Sequence, residues 1–266
     1  MASLPHSFLG PPIAHRGYHD IAAGRPENSR AAFEAAIGTG YGIEIDVQQS
    51  ADGEAMVFHD YDLGRLSHAS GPIRQRTASE LKGIRLIGSD ETIPTLSEVL
   101  SLVAGRVPVL IEVKDQDGIM GEDVGVLEQS IARALDEYHG DVAVMSFNPN
   151  AIAVFAEVAP HVPRGLTTAP FSLSAWPLLP RRVRHHLRKI PDFKRVGASF
   201  ISHQAADLSS PRVRELKEGG VPVLCWTIHN RGEELRARQV ADNITFEGYT
   251  PEIPSGAFQW ATPAIG

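Results

Sequence analysis

The sequence predicts an α/β fold, a TIM (β/α)8 barrel with an extra antiparallel hairpin strand after the second barrel strand and a small cap. Its length of 266 residues is normal for one barrel domain, which runs to about 250 residues. Short β-branched runs alternate with helical stretches, which is typical of parallel strands joined by crossover helices. A single Asp-Gly turn accounts for the one strand that does not fit this scheme. We therefore expect residues 1–266 to form a single domain.

The sequence contains nine strand candidates, whereas a TIM barrel has eight strands. They are Pro12–Gly17, Gly42–Gln48, Glu54–His59, Val107–Lys114, Asp141–Phe147, Pro163–Thr168, Ala198–His203, Val221–Thr227 and Asn243–Glu247. Helical patterns fall at Arg30–Ile37, Leu96–Ala104, Glu122–Tyr138, Ala151–Val158, Pro211–Glu218 and Glu233–Gln239. The tight Asp52-Gly53 turn leaves no room for a crossover between the second and third candidates, so these two are predicted to pair antiparallel. The other eight then form the barrel.

Composition excludes several classes of protein. The net charge of −7 and the pI of about 5.9 disfavour a nucleic-acid partner, because an acidic surface repels phosphate backbones. The single cysteine, Cys225, forms no internal disulfide and excludes a multi-cysteine zinc site. No apolar run approaches the roughly 20 residues of a membrane helix, and residues 1–12 lack the features of a signal peptide. We expect a cytoplasmic protein without stable membrane insertion.

Two strand candidates carry acidic residues on a single face. In Gly42–Val47 the side chains alternate, so Glu44 and Asp46 lie opposite the apolar set. Glu112 and Lys114 share a face of the next barrel strand in the same way. If the apolar faces pack under the helices, all three carboxylates point into the barrel, where like charges are costly without a cation or proton. The alternative is that these acids lie on the surface of an edge strand or pair with Lys114.

A cluster of three carboxylates is an all-oxygen site. Such a site suits Mg²⁺ or Ca²⁺, with Mn²⁺ as a further candidate, better than Zn²⁺. The turn also predicts what lies beside it. If Asp52 and Gly53 form a two-residue loop, Ala51 pairs with Glu54 and Asp46 lies opposite His59. Opposite residues have Cβ atoms about 5 Å apart, so this register would deliver His59 to the carboxylates.

Further polar residues are predicted at the same end of the barrel, where TIM-barrel active sites lie. His15 ends the first strand, and with His59 it indicates a general acid and a general base. Arg16 and Lys114 are candidates for binding a substrate phosphate.

Two residues before the first helical run have candidate supporting roles. Asn28 is either a helix N-cap or part of the site. Glu27 is either a further metal ligand or a residue that orients the ligands.

The most basic stretch is Arg181–Lys189, which follows Trp176-Pro177-Leu178-Leu179-Pro180. Two interpretations are open for it. It is either a solvated helix lying over the barrel mouth or a segment that touches an anionic membrane surface.

The order and spacing of several short motifs resemble the glycerophosphodiester phosphodiesterase family. The motifs are His15-Arg16-Gly17, Glu27-Asn28, Glu44-x-Asp46, His59-Asp60, Leu63-x-Arg65, Glu112-x-Lys114, Ile93–Leu100, Ser146-Phe147 and Trp226. Together they span Ile13 to about Tyr249. The chain departs from the family at the last strand, where many relatives carry an acid followed shortly by proline and this sequence reads Glu247-Gly248. No role is assigned to Glu247 on this basis.

The resemblance implies a TIM barrel that hydrolyses glycerophosphodiesters to glycerol 3-phosphate and an alcohol, within glycerol and lipid metabolism. By motif match, the metal ligands would be Glu44, Asp46 and Glu112. His15 and His59 would be the acid–base pair, and Arg16 and Lys114 would contact phosphate. Trp226 would line the glycerol side of the pocket. The attacking group would be the substrate's own glycerol hydroxyl, and water would then open the cyclic phosphate.

Two other classes of function are compatible with the sequence. One is a lysophospholipase D-like or phosphoinositide phospholipase-like enzyme, for which Phe171–Leu179 would supply the apolar rim. The other is a non-catalytic module that binds a phosphoglycerol group. The preferred alcohol, the physiological metal and the oligomeric state do not follow from the sequence.

Overall fold

Eight parallel strands close into a barrel with helices around it, and a ninth strand lies outside the ring. The computed structural model describes residues 2–255. Its strands are β1 (Ile13–Ala14), β2 (Gly42–Gln49), β3 (Ala55–Val57), β4 (Val109–Val113), β5 (Val142–Ser146), β6 (Arg164–Thr168), β7 (Phe200–Gln204), β8 (Val223–Ile228) and β9 (Asn243–Phe246). The ring closes because β1 pairs in parallel with both β2 and β9. The predicted fold class is confirmed.

Eight α-helices are found in the described part of the chain. They are α1 (Arg30–Thr39), α2 (Ala78–Lys82), α3 (Leu96–Val103), α4 (Val126–Leu135), α5 (Pro149–Val158), α6 (Arg181–Leu187), α7 (Pro211–Glu218) and α8 (Arg231–Ala237). Helix α4 is shorter than the pattern predicts, since it begins after Gly125, whose φ is 114°. None of the helices in residues 2–255 is long and apolar enough to cross a membrane.

The hairpin of β2 and β3 forms as predicted, but its predicted register is wrong by one residue. Gln49 lies opposite Ala55, and the amide of Ser50 donates to the carbonyl of Glu54 at 3.0 Å. The loop therefore has three residues and ends at Gly53, whose φ of 83° is typical of such a loop. Asp46 consequently lies opposite Phe58, whose amide donates to its carbonyl at 3.0 Å, and not opposite His59.

Alternation along the strands separates two apolar regions. Side chains on the outer faces, such as Ile43, Ile45 and Val109, pack under the helices in the main core. The floor of the barrel is filled from inside by a smaller cluster that includes Phe8, Leu110 and Phe200. Charged residues on the inner face therefore lie above an apolar plug, at the carboxyl end of the strands.

The segment between β3 and α3 forms the predicted small cap. Its centre is an apolar cluster to which the hairpin contributes Met56 and Phe58 and the cap contributes residues such as Leu63, Ile73 and Leu81. This cap lies beside the carboxyl end of β2 and holds the chain that carries His59.

Candidate active site

Three carboxylates meet inside the barrel. Glu44 and Asp46 point inward from β2, and Glu112 points inward from β4, where it lies opposite Asp46 in the parallel register. One oxygen of each carboxylate lies within 4.8 Å of the others. Their exposed fractions are 1%, 1% and 7%, so the surface interpretation is wrong for all three. Lys114 does pair with this cluster, because its Nζ lies 2.7 Å from an Asp46 oxygen and 2.5 Å from a Glu112 oxygen.

Ionisation of all three buried carboxylates costs free energy, and the protein's own cations offset only part of that cost. Burial raises the pKa of Glu44 well above its usual range, and the Asp46 and Glu112 carboxylates raise it further. Burial acts in the same direction on Asp46, but Lys114 and His59 outweigh it and hold the pKa of that carboxyl below its usual range. The carboxylates around Lys114 raise its pKa against the effect of burial. Of these groups, Glu44 is the carboxyl whose ionised form the buried cluster disfavours.

This donor set fits a hard divalent cation. All three side chains offer oxygen atoms, which Mg²⁺ and Ca²⁺ prefer in proteins. Burial, together with the Asp46 and Glu112 carboxylates, disfavours the ionised form of Glu44, and a bound cation would offset that cost.

The backbone after β1 is shaped to present Arg16. The φ angle of Arg16 is 56°, and that of Gly17 is 81°. A Cβ atom on Gly17 would lie 2.9 Å from Ala32 Cβ, so the site needs glycine there. In this conformation the Arg16 amide donates to Glu44 Oε2 at 2.9 Å, and its guanidinium Nε lies 3.2 Å from Asp46 Oδ2. One residue thus contacts two of the three carboxylates.

Asn28 and Glu27 support the site from the loop before α1. Asn28 Nδ2 donates to Asp46 Oδ2 at 2.9 Å, and its side-chain oxygen accepts from the Asp46 amide at 3.2 Å. The N-cap of α1 is Ser29, so the N-cap interpretation of Asn28 is wrong. Glu27 accepts a hydrogen bond from Arg16 Nη1 at 2.6 Å, which orients the arginine.

His15 lies against a carboxylate at the end of β9. Its Nδ1 is 2.6 Å from Glu247 Oε2. Two further imidazoles, those of His19 and His229, approach the same carboxylate at 3.5 and 3.4 Å. The hydrogen bond with His15 is the main reason why the pKa of Glu247 lies below its usual range. Burial lowers the pKa of His15, and Glu247 acts against that shift.

His59 has the same arrangement with a different acid. Its Nδ1 lies 2.5 Å from Asp60 Oδ1, and its carbonyl accepts from Gln48 Nε2 on β2 at 3.0 Å. Arg65 Nε donates to Asp60 Oδ2 at 2.5 Å, and Arg65 Nη1 donates to Glu27 Oε2 at 2.7 Å. His59 directly follows Phe58, which is hydrogen-bonded to Asp46 of β2, and the contacts of Asp60 and Arg65 orient its ring.

Trp226 belongs to an aromatic cluster on the other side of the barrel mouth. Its Nε1 donates to the carbonyl of Ser202 at 3.0 Å, and its ring meets that of Phe147 edge-on at 5.5 Å. Phe147 in turn packs on Trp176 at 5.0 Å and on Phe171 at 6.2 Å. Because Glu112 on β4 lies opposite Met145 on β5, Phe147 belongs to the same layer as Lys114. The cluster thus begins beside the charged site.

The structure brings every sequence-predicted site residue to this end of the barrel, and it adds three that sequence reasoning left without a role. These are Asp60, Arg65 and Glu247, which hold the two histidines. A signal for Glu247 was present: in a closed barrel the last strand flanks the first, so an acid after β9 lies beside a histidine after β1.

The chain is similar to known proteins of one family. A profile of the glycerophosphoryl diester phosphodiesterase family matches residues 15–245. The glycerophosphodiester phosphodiesterase of Caldanaerobacter subterraneus subsp. tengcongensis is 29% identical over 234 residues, which are 84% of this chain and 87% of that protein.

Solved structures share the fold. An Oleispira antarctica phosphodiesterase, solved in complex with the product sn-glycerol-3-phosphate, has a TM-score of 0.73 at 24% identity and covers 91% of this chain and 94% of its own. A glycerophosphodiester phosphodiesterase from Agrobacterium tumefaciens has a TM-score of 0.65 at 24% identity, with 89% and 96% covered.

The fold and the matched residues define a TIM-barrel phosphoric diester hydrolase. The chain belongs to the glycerophosphoryl diester phosphodiesterase family, as the motifs predict. The family assignment favours an enzyme over a non-catalytic binding module.

Proposed function

We propose that the protein hydrolyses glycerophosphodiesters to sn-glycerol 3-phosphate and an alcohol, with a divalent cation bound by Glu44, Asp46 and Glu112 and with His15 and His59 as the acid–base pair. One observation carries the proposal: two imidazoles, each bound at Nδ1 by a carboxylate, flank a buried cluster of three carboxylates. The curated relative named above is a glycerophosphodiester phosphodiesterase, and the Oleispira enzyme was solved with sn-glycerol-3-phosphate.

The two histidines have the geometry for proton transfer. A carboxylate at Nδ1 fixes the tautomer and orients the ring, which leaves Nε2 to exchange a proton with substrate. One histidine takes the proton of the attacking hydroxyl, and the other donates a proton to the departing alkoxide. The two arrangements are alike, so either histidine can begin as the base.

The charged residues act on the phosphate. Arg16 and Lys114 supply positive charge for its oxygens, Arg16 as a planar fork and Lys114 as a point charge. Glu27 and Asn28 hold Arg16 and Asp46 in place, so the site is organised before substrate arrives. A bound divalent cation would supply Lewis-acid polarisation of the phosphate and lower the pKa of an oxygen nucleophile.

The test is release of glycerol 3-phosphate from glycerophosphocholine, first with EDTA and then with Mg²⁺, Mn²⁺ or Ca²⁺ restored. We expect turnover that EDTA abolishes and a cation restores. His15→Ala and His59→Ala should each lose roughly 10²–10⁴-fold in rate, the usual value of acid–base catalysis. His161→Ala is the matched control, since His161 is exposed and lies before β6, at the opposite end of the barrel. No turnover by folded protein with any cation would contradict the proposal, and near-full activity of both histidine variants would contradict the assignment.

A lysophospholipid is the second candidate substrate. The observation that favours it is the aromatic cluster, which runs from Phe147 to Trp176 and so provides an apolar surface beside the charged site. Comparing lysophosphatidylcholine with glycerophosphocholine distinguishes the two, because only an acylated substrate gains from that surface.

A further inference from the structure

The loop between β6 and β7 presents an unusual surface at the mouth of the barrel. Leu178 is 86% exposed and Leu173 is 61% exposed. Exposed cations follow directly on α6 and just after it. We call this surface the mouth patch, and it consists of Leu173, Leu178, Arg181, Arg182, Arg188 and Lys189. Exposed leucines beside cations are the combination that interfacial membrane segments use.

The charge of the mouth patch is not diluted by acids along the chain. Between Glu157 and Asp192 there is no Asp or Glu, although the whole protein carries a net charge of −7. Within residues 2–255, the four cations of the patch form no ion pair with a carboxylate. Their guanidinium and ammonium groups are therefore available to a negatively charged partner.

The outward face of α6 is basic because its inward face is held by the aromatic cluster. Leu187 is buried and Val183 partly buried in the cluster that includes Leu179 and Phe171, on which Trp176 also packs. Arg181, His185 and Arg188 are spaced by four and three residues, so they share one face of the helix. All three are exposed, which places that face on the side away from the cluster. Arg184 Nε donates to the carbonyl of Leu179 at 3.0 Å, which ties the helix to the loop that carries Leu178.

The segment that carries the mouth patch is joined to the candidate active site by the aromatic cluster. Trp176 packs on Phe147 at 5.0 Å, and Phe147 meets Trp226 at 5.5 Å. The patch therefore lies at the rim of the same opening through which a substrate enters.

We propose that the mouth patch docks the protein on an anionic phospholipid bilayer. Charge complementarity favours this partner, since a negatively charged membrane surface attracts clustered Lys and Arg residues. The two leucines favour a bilayer over a soluble polyanion, because only a bilayer offers an apolar layer beneath its charged surface. The proposal does not depend on the substrate of the enzyme.

The experiment is co-sedimentation of the full chain with vesicles of phosphatidylcholine alone and of phosphatidylcholine mixed with phosphatidylglycerol. We expect binding only to the anionic vesicles, weakened by salt. The double variant R181S/R182S should lower partitioning roughly 30-fold, from the usual gain per cation at a membrane surface. Leu178→Ser should lower it about tenfold or more, since burial of a leucine side chain is lost.

Matched controls lie far along the chain, on α7 and α8. Leu235→Ser removes a leucine that is 57% exposed on α8, and R214S/R236S removes two exposed arginines. Neither control should change vesicle binding. All variants should keep their activity on soluble glycerophosphocholine without vesicles, which separates lost docking from misfolding.

Two results would overturn the proposal. One is the absence of binding to anionic vesicles at low salt. The other is binding that the arginine variant loses and Leu178→Ser retains, because that pattern describes a surface for a soluble polyanion such as a nucleic acid or an acidic protein.

Discussion

Replacement of Glu247 by glutamine tests the role of the carboxylate that binds His15. Glu247→Gln keeps the size of the side chain and removes its charge. In the native protein Glu247 Oε2 lies 2.6 Å from His15 Nδ1, with His19 and His229 also near. A neutral amide binds any of these rings more weakly and no longer fixes the tautomer of His15.

The magnitude follows from the type of bond that is lost. A hydrogen bond to a charged group contributes about 1.5–3 kcal/mol, which corresponds to roughly 10- to 150-fold in kcat. The pKa of His15 should fall as well, because burial already lowers it and the opposing effect of Glu247 is removed. The limb of the pH–rate profile that belongs to His15 should therefore move to lower pH, whether His15 acts as the acid or as the base.

The assay is the pH profile of kcat and kcat/KM for glycerophosphocholine under saturating cation. Glu252→Gln is the matched control, since Glu252 is exposed and its only ion pair among the described residues is with Arg231. An E247Q variant with more than half of the native kcat and an unmoved profile would refute the role assigned to Glu247. A purely structural role would lower activity without shifting the limb.

Three further variants test the scaffold of the site. Glu44→Gln should raise the melting temperature of the cation-free protein above pH 4.5, because the raised pKa of Glu44 means that the native protein loses stability as that carboxyl ionises. The same variant should abolish the rise in melting temperature that added cation gives. Both effects are measured by scanning fluorimetry. Gly17→Ala should destabilise the fold by about 2 kcal/mol or more in urea unfolding, since φ is 81° and the new Cβ would lie 2.9 Å from Ala32 Cβ. Arg65→Lys should lower kcat about tenfold, because lysine keeps the charge but loses the fork that grips Asp60.

Each of these outcomes has a contrary result. A cation-free E44Q protein that melts at a lower temperature than the native protein would show that the ionised Glu44 carboxylate does not destabilise the fold. Unchanged urea stability of G17A would mean that the backbone relaxes freely at this turn. Native kcat in R65K would mean that the orientation of His59 does not depend on this ion-pair chain.

The inner face of the barrel could be predicted from the sequence because it depends on local periodicity. Alternation in β2 fixes Glu44 and Asp46 on one side, and it needs no knowledge of distant residues. The hairpin was equally local, as the Asp52-Gly53 turn indicates. The Asp-Gly pair did not fix its register, because the loop has three residues, and the Asp52 carboxylate accepts from Ser50 Oγ at 2.6 Å and from the amide of Ala78 at 2.8 Å. The second contact joins the turn to the start of α2, which no turn rule includes.

Long-range partners account for the other residues that the sequence left without a role. His15 and Glu247 are separated by 232 positions and meet only because β9 pairs with β1. Glu27 and Arg65 meet because the cap folds back over the loop before α1. Asn28 was open between two roles, and the cap of α1 by Ser29 decides between them.

The balance of charge at the barrel mouth supports the proposed need for a cation. Of the residues assigned to the site above, six carry carboxyl groups and three are permanently charged cations. The acids are Glu27, Glu44, Asp46, Asp60, Glu112 and Glu247, and the cations are Arg16, Arg65 and Lys114. An anionic phosphodiester entering this opening would meet an excess of negative charge, and repulsion in a partly desolvated site is stronger than in water. A divalent cation held by the three buried carboxylates would remove most of that excess, and protonation of one of the two carboxylate-bound histidines would reduce it further. In the proposed mechanism, the acids that orient the imidazoles would therefore also make substrate binding depend on the cation.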